Sequence, residues 1–436
     1  MARRKVTTTT RVARGRDVAL MTEPVPLPLA AALDGIARHR ATGEPLERAL
    51  KDVAASRKLG PRERRAAGDA AFAWARRRSL AEGLVSDALT REGGIKATPR
   101  DRDLCAIVLG LIAAGSDVDE RAVERLPAPL RAVVDDARVR GITGLAPQLP
   151  AWLTKLLLAS GEDVPALAAA LAQPAPLVLA VDVSKLSLAA ARAAIDAALA
   201  SSKRSSKGGS RSVLSSIVDG AVRIEGRLAL TTLPAEVRAA LWPMDDGSQA
   251  VARALGARAG ELVLDLCAGG GGKARLLSTT GARVVATDVH RERLRAAGAV
   301  PKIVADGTAP AFRAASFDRV LVDAPCSGTG TLRRAPDLMH RLAHEDIAAF
   351  VTLQRALLMH AIELVKPGGV VVYATCSLLR EENEDIVAAV LAARTDARPL
   401  PIPWTGVHID GSTGSARLRP HLHGTDGFFV AALQRS

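Results

Sequence analysis

The sequence predicts an α/β chain: a Rossmann-like, doubly wound sheet over residues 251–436, preceded by an all-helical region at 28–160 and a small α+β region at 161–250. Three observations carry this. Short, continuously apolar runs alternate with helical stretches beyond residue 250, as parallel strands buried on both faces require. From 28 to 160, apolar residues recur at intervals of three and four. Between these regions, strand-like runs flank one helical stretch.

Residues 1–27 carry Arg3, Arg4, Lys5, Arg11, Arg14 and Arg16 among threonines and are expected to form a flexible basic tail. In the helical region, Leu46, Leu50 and Val53, and Cys105, Val108, Leu109 and Ile112, give the 3.6-residue period. Its polar faces hold Arg62, Arg64, Arg65, Arg76, Arg77 and Arg78, expected to be solvated and available to RNA. Leu177–Val181 reads as a strand, 188–200 as a helix and Val222–Ile224 as a strand. The basic, serine- and glycine-rich 201–212 stretch reads as a flexible loop. Five strands follow: Val263–Leu266, Val284–Asp288, Ile303–Asp306, Val320–Asp323 and Val370–Thr375.

Composition narrows the function. Apolar residues make up 48% of the 436, enough for sizeable cores and too many for a disordered chain. No run of about 18 apolar residues suggests a membrane span, and no apolar signal core opens the chain, so a cytoplasmic location is expected. The formal charge of +13 points to a polyanionic partner, nucleic acid above all. Cys105, Cys267, Cys326 and Cys376 form no CxxC pair, so no metal site is expected and reduced thiols are.

In an open α/β sheet, ligands bind beyond the carboxyl ends of the strands. Here those ends are chemically loaded. The first strand runs into Cys267-Ala268-Gly269-Gly270-Gly271-Gly272-Lys273, a turn that lets the backbone approach a ligand closely. Asp288 ends the second strand, where an acid can accept ribose hydroxyls, and Asp306 ends the third, near where an adenine edge would lie. An adenosine-containing cofactor is expected, either NAD or S-adenosylmethionine. The fourth strand leads to Asp323-Ala324-Pro325-Cys326 and the fifth to Thr375-Cys376-Ser377, placing two thiols on adjacent strand tips.

DAPCSGTG at 323–330 and YATCS at 373–377 resemble the Sun-type RNA 5-methylcytosine methyltransferases. The likeness continues in order through LDLCAGGGGKA (264–274), LRRAPDL (332–338), LVKPGG (364–369), EEN (381–383) and TDGFFVA (425–431). The helical region is similar to the NusB fold, as in the family's small-subunit rRNA enzymes. The resemblance implies a class I S-adenosylmethionine-dependent methyltransferase fold and a monomer that methylates C5 of a cytosine in 16S rRNA, with no membrane or metal. It assigns the nucleophile to Cys376, its release to Cys326, base recognition to Asp323 and an orienting role to Lys273. The cofactor set is Cys267, Ala268, Gly269, Gly270, Gly271, Gly272, Lys273, Asp288, Asp306 and Asp323. DNA cytosine methyltransferases use a Pro-Cys thiol, so Pro325-Cys326 keeps the choice of nucleophile open, with Cys376 favoured. A tRNA substrate, or a non-catalytic RNA-binding assembly factor, stays as an alternative. Three departures stand out. Gly269 and Gly270 replace the family's alanine and proline, Ala274 replaces a threonine, and Leu338-Met339-His340 ends a stretch that normally carries Lys-Trp.

Overall fold

The computed structural model describes residues 25–91, 97–142, 149–203, 213–214, 216–225, 228–294, 298–309, 311–402, 404, 407, 409 and 411–436. Nearly all of the expected basic tail, and the basic loop from 204 on, lie outside these. Eight helices come first: α1 (Leu27–Thr42), α2 (Leu46–Ser56), α3 (Pro61–Arg91), α4 (Pro99–Ala113), α5 (Glu120–Glu124), α6 (Ala128–Arg140), α7 (Ala151–Ala159) and α8 (Val164–Leu171). Helix α4 starts on a capping box, Thr98 and Asp101 each satisfying the other's backbone N–H. Trp74 of α3 is fully buried against α1 and α4, with the guanidinium groups of Arg40 and Arg78 5.1 and 5.2 Å from its ring.

Not all the predicted arginines face water. Arg62, Arg64 and Arg65 are exposed. Arg78 stacks on Trp74 and bonds Glu82, and Arg76 donates to the Arg333 carbonyl at 3.2 Å. These two serve packing, within the helical region and against the second half of the chain, because α3 is long enough to reach Arg333. Helices α7 and α8 also turn toward that half. Leu153, Leu157, Leu167 and Leu171 share a core with Leu332, Ile347, Leu378 and Leu379.

The middle region is a four-stranded antiparallel sheet in the order β2-β3-β1-β4, formed by β1 (Leu177–Val181), β2 (Val213–Leu214), β3 (Ala221–Ile224) and β4 (Leu241–Pro243). Helices α9 (Leu188–Lys203) and α10 (Ala235–Ala239) belong to the same region.

Helix α11 (Asp246–Ala254) leads into the large sheet. Its parallel strands are β5 (Leu262–Asp265), β6 (Arg283–Asp288), β7 (Lys302–Val304), β8 (Phe317–Asp323) and β9 (Val365–Thr375). Between them run α12 (Gly272–Ser278), α13 (Arg291–Leu294) and α14 (Ile347–Leu364). After β9 come α15 (Glu384–Ala393), β10 (Ala397–Pro399), β11 (Ser415–Leu418), α16 (Pro420–His423) and β12 (Phe428–Arg435). The order is β10-β12-β9-β8-β5-β6-β7, with β11 also on β12. An all-parallel sheet is therefore not what forms: β12 runs antiparallel to β9 and carries β10 and β11 antiparallel. Between β9 and β12 the chain passes through α15, β10, β11 and α16, so no single crossover helix forces β12 parallel to β9.

Alternation along each strand builds two cores. Val263, Leu321, Val372 and Val430 point to the α11–α12 side. Leu264, Val320, Val322, Tyr373 and Phe429 point to the α14–α15 side. Helix α14, with the turn before it, is long and apolar enough to cross a membrane by length and composition. Thr352, Gln354, Arg355 and His360 interrupt its apolar residues, so it is not an unbroken apolar run. In the fold it packs on the sheet, burying Leu357, Leu358, Ala361 and Ile362. The third strand stops at Val304, so Asp306 lies in the turn beyond it, where its carboxyl accepts the Thr308 N–H and hydroxyl at 2.9 and 2.7 Å.

Candidate active site

The order reverses at β5, which has β6 on one side and β8 on the other, and the crevice opens at the carboxyl ends there. The glycine-rich turn leaves β5 and enters α12. Gly269 and Gly271 have φ of +53° and +74°, the left-handed region glycine tolerates. A Cβ on Gly269 would lie 2.9 Å from the Arg293 guanidinium. The departure from alanine at that position is thus matched to the backbone and its neighbour. The Gly269 N–H donates to Asp288 Oδ2 at 2.9 Å, and the His290 N–H to Oδ1 at 2.8 Å. Asp288 is nearly buried and pins the loop to the tip of β6. Asp306 sits further out and is exposed.

Asp265, at the tip of β5, is fully buried, and neither carboxyl oxygen has a well-formed hydrogen bond among the described residues. Burial, with the Asp323 charge adding to it, pushes its carboxyl up to about 7, against the opposing pull of Lys273 and the Ala274 amide. Lys273 donates to Asp323 Oδ2 at 2.6 Å. Burial opposes its charge, but Asp323 and Asp265 outweigh that and raise its pKa. Its ammonium also lies 5.8 Å from the Phe428 ring centre. A close-approach glycine loop and a buried, underbonded carboxyl beside it suit a small cationic, adenosyl-bearing ligand.

The two predicted thiols meet. Cys326 Sγ lies 3.3 Å from Cys376 Sγ, both beyond the tips of β8 and β9. Cys326 is held well above the ordinary thiol range, by its bond to Cys376 first, then by burial and by the Glu382 charge. Burial and three nearby aspartates likewise raise Cys267, which stays a protonated thiol in the loop wall. Cys105 is pushed up to about 12 by burial in the helical core, far from this site.

Several residues here were assigned no role from sequence. Gly330 threads between two backbones: its N–H donates to the Cys376 carbonyl at 2.8 Å, and its carbonyl accepts from Gly427 at 2.9 Å. Arg333 and Arg334 clamp Asp426 and Asp245, with Arg333 Nε to Asp426 Oδ1 at 2.5 Å. Asp337 accepts the Leu46 N–H at 3.2 Å and His340 reaches the Ala75 carbonyl at 3.2 Å. The stretch lacking Lys-Trp is therefore a contact to the helical region. A serine after each cysteine, and a glutamate six residues past Cys376, was the available signal for the network around Glu382. A cavity of about 610 Å³ lies elsewhere, between α3, α7, α8 and Met339–His340. The titratable groups gather at the strand tips instead.

With this geometry in hand, the relatives can be placed. A family model described as 16S rRNA methyltransferase RsmB/F matches residues 252–434. Ribosomal RNA small subunit methyltransferase B of Xanthomonas campestris is 32% identical over 410 residues, covering 86% of this chain and 90% of that protein. The chain spans about half the length of other curated relatives it matches. The crystal structure of PH0851 superposes with a TM-score of 0.70 over 95% of this chain and all of that one, at 22% identity, and so shares the fold. A methyltransferase homolog protein from Pyrococcus horikoshii gives 0.52 over 69% of this chain and 98% of that one, at 25% identity. With the strand order of a class I methyltransferase and this full-length relative, the chain belongs to the 16S rRNA methyltransferase RsmB/F family.

Proposed function

We propose that the chain transfers a methyl group from S-adenosylmethionine to C5 of a cytosine in 16S rRNA, with Cys376 as the nucleophile. The observation that carries this is the thiol pair, 3.3 Å apart on adjacent strand tips, beside Lys273–Asp323 and the glycine loop. Cysteine 267 to Lys273, with Asp288 and Asp306, would hold the cofactor, which supplies an electrophilic methyl group when bound.

C5 of cytosine is a poor nucleophile until C6 carries a sulfur substituent. Cys376 Sγ forms a bond to C6, and the C5–C6 π electrons move to C5. As the bond forms, the Cys376 thiol proton passes by way of Asp323, at the tip of β8, to N3; the Asp323 carboxylate then accepts from N3–H and the amino group, and N3 gives that proton back as Cys376 leaves. Lys273 keeps that carboxyl in place and lends positive charge near Cys376. After methylation a base removes the C5 proton, the double bond re-forms, and the C6–S bond breaks toward Cys376. Cys326 retains its proton in the resting site, because its hydrogen bond to Cys376, its burial and the Glu382 charge all disfavour its thiolate. That supports Cys376 as the attacking group and Cys326 as the partner that assists release. The base must be unpaired or flipped out to expose C6.

Radiolabelled methyl transfer to unmodified 16S rRNA tests this with wild type and Cys376→Ala side by side. Label on cytosine C5 with wild type alone is expected. Transfer surviving in Cys376→Ala moves the role to Cys326. Label absent from 16S rRNA but present on tRNA overturns the substrate.

A further inference from the structure

We propose that Glu382 is a positioning residue for the thiol pair: its buried carboxylate staples the Cys326 loop to the Cys376 loop and fixes the contact between the two sulfurs. Glu382 has no exposed surface. It sits on the turn between β9 and α15, six residues past Cys376, and reaches back under both loops. Oε1 accepts the Ser327 N–H at 2.8 Å and Gln354 Nε2 at 2.9 Å. Oε2 accepts the Ser327 and Ser377 hydroxyls, each at 2.5 Å. Ser327 follows one cysteine and Ser377 the other. One carboxylate thus holds the residue next to each sulfur.

The rest of the turn is anchored as firmly. Tyr373 donates to the Glu382 carbonyl at 2.6 Å, and Asn383 is gripped by Thr375 and donates to the Ser377 carbonyl. Gln354 links the arrangement to α14 and also bonds the Pro325 carbonyl at 2.9 Å. Among the described residues no cation pairs with Glu382; four donors take that place. Burying a carboxylate this way is costly unless every lone pair is used. A structural staple could be made of apolar side chains at less cost. The charge has a use in the chemistry: it lies close enough to Cys326 to keep that thiol protonated. The titratable groups around Cys326 are Cys376, Glu382 and Tyr373, and across the cleft Lys273 with Asp323 face Cys376.

This inference rests on the two-thiol reading of the site, and its test separates the two. Full-length Glu382→Gln keeps the side chain's shape and removes its charge. Alkylation by iodoacetamide needs no RNA, and peptide mass analysis resolves Cys326 from Cys376 across a pH series. In the variant, Cys326 alkylation is expected to begin at lower pH than in wild type. Single-turnover methyl transfer is expected to fall by about tenfold or more, the scale of a thiol slightly out of place, with the RNA KM and cofactor affinity within about twofold. A Cys326 profile that does not move overturns the proposal, whatever the rate. If the Gln variant does not fold, Ser377→Ala removes one anchor and leaves the charge. A transfer rate equal to wild type would then overturn the positioning role. A moved alkylation profile in a protein whose wild type leaves cytosine unlabelled would sink the methyltransferase reading and leave the staple standing.

Discussion

The tip of β5 makes the sharpest stability prediction. Asp265 is fully buried without a well-formed hydrogen bond among the described residues, and its carboxyl is pushed from an ordinary 3.8 up to about 7. In the unfolded chain the same group ionises near pH 4. The native state therefore binds this proton more tightly. Stability from this group is complete below about pH 4 and is lost as pH rises through 7. At 1.36 kcal/mol per pKa unit, the gap of about 3 corresponds to about 4 kcal/mol once the group is ionised in both states. Asp265→Asn keeps the shape and abolishes the titration. It should be more stable than wild type by about 4 kcal/mol at pH 8, and by less than about 2 kcal/mol at pH 5. Urea unfolding of both proteins at both pH values measures this, since titrating groups away from Asp265 cancel in the difference. An offset between the two proteins that is the same at pH 5 and pH 8 would refute the reasoning.

Three other substitutions follow from the packing. In Gly330→Ala the new Cβ would lie 2.2 Å from the Gly427 carbonyl oxygen and 2.8 Å from that of Cys376, so two backbones must part. A loss of about 2–3 kcal/mol is expected, read as a melting temperature lower by roughly 5–10 °C. Asp426→Ala leaves the buried Arg333 with its bond to the Gly424 carbonyl and, as ion pair among the described residues, only the longer 3.2 Å contact to Asp245, and should cost about 3–5 kcal/mol. An Arg333→Met/Asp426→Leu pair recovering most of that in the same melts would identify the stranded charge as the cause. Asp337→Ala strips the acceptor from the buried Leu46 amide and from Arg341, and should cost about 1–3 kcal/mol. Limited proteolysis should then cut between the helical region and the sheet at lower protease concentration than in wild type.

The parallel strands and the strand-tip chemistry were legible because they depend on local pattern. An apolar run ending in Asp323 or Thr375 announces a buried strand and its tip whatever the rest of the chain does. The antiparallel edge was not legible. Phe428–Leu433 is as apolar as β9, and direction is set by the connection before it, which periodicity does not encode. The split among the arginines escaped for a similar reason. Arg76 and Arg62 share a helix and a residue type, and only the docking of α3 against Arg333 distinguishes them. Glu382 sat within a quoted motif, yet no sequence rule says that a glutamate will turn inward. Its burial follows from four donors converging from α14 and both cysteine loops.

Those long-range contacts connect what the sequence presents as separate motifs. The Leu46 amide of α2 rests on Asp337. Four residues upstream, Arg333 is locked to Asp426 and to the Gly424 carbonyl. Gly427 follows Asp426 and donates to Gly330, whose own N–H holds the Cys376 carbonyl. The helical region therefore rests on the same segment that fixes the backbone of Cys376. A rigid mount explains the pattern. On the proposed function, the Cys376 sulfur must sit within a fraction of an ångström of its working position while the RNA is bound. A hinge at 333–341 would let that seating vary. Buried ion pairs with exacting geometry resist sliding more than apolar packing does, which is a reason for charges here that stability alone does not supply.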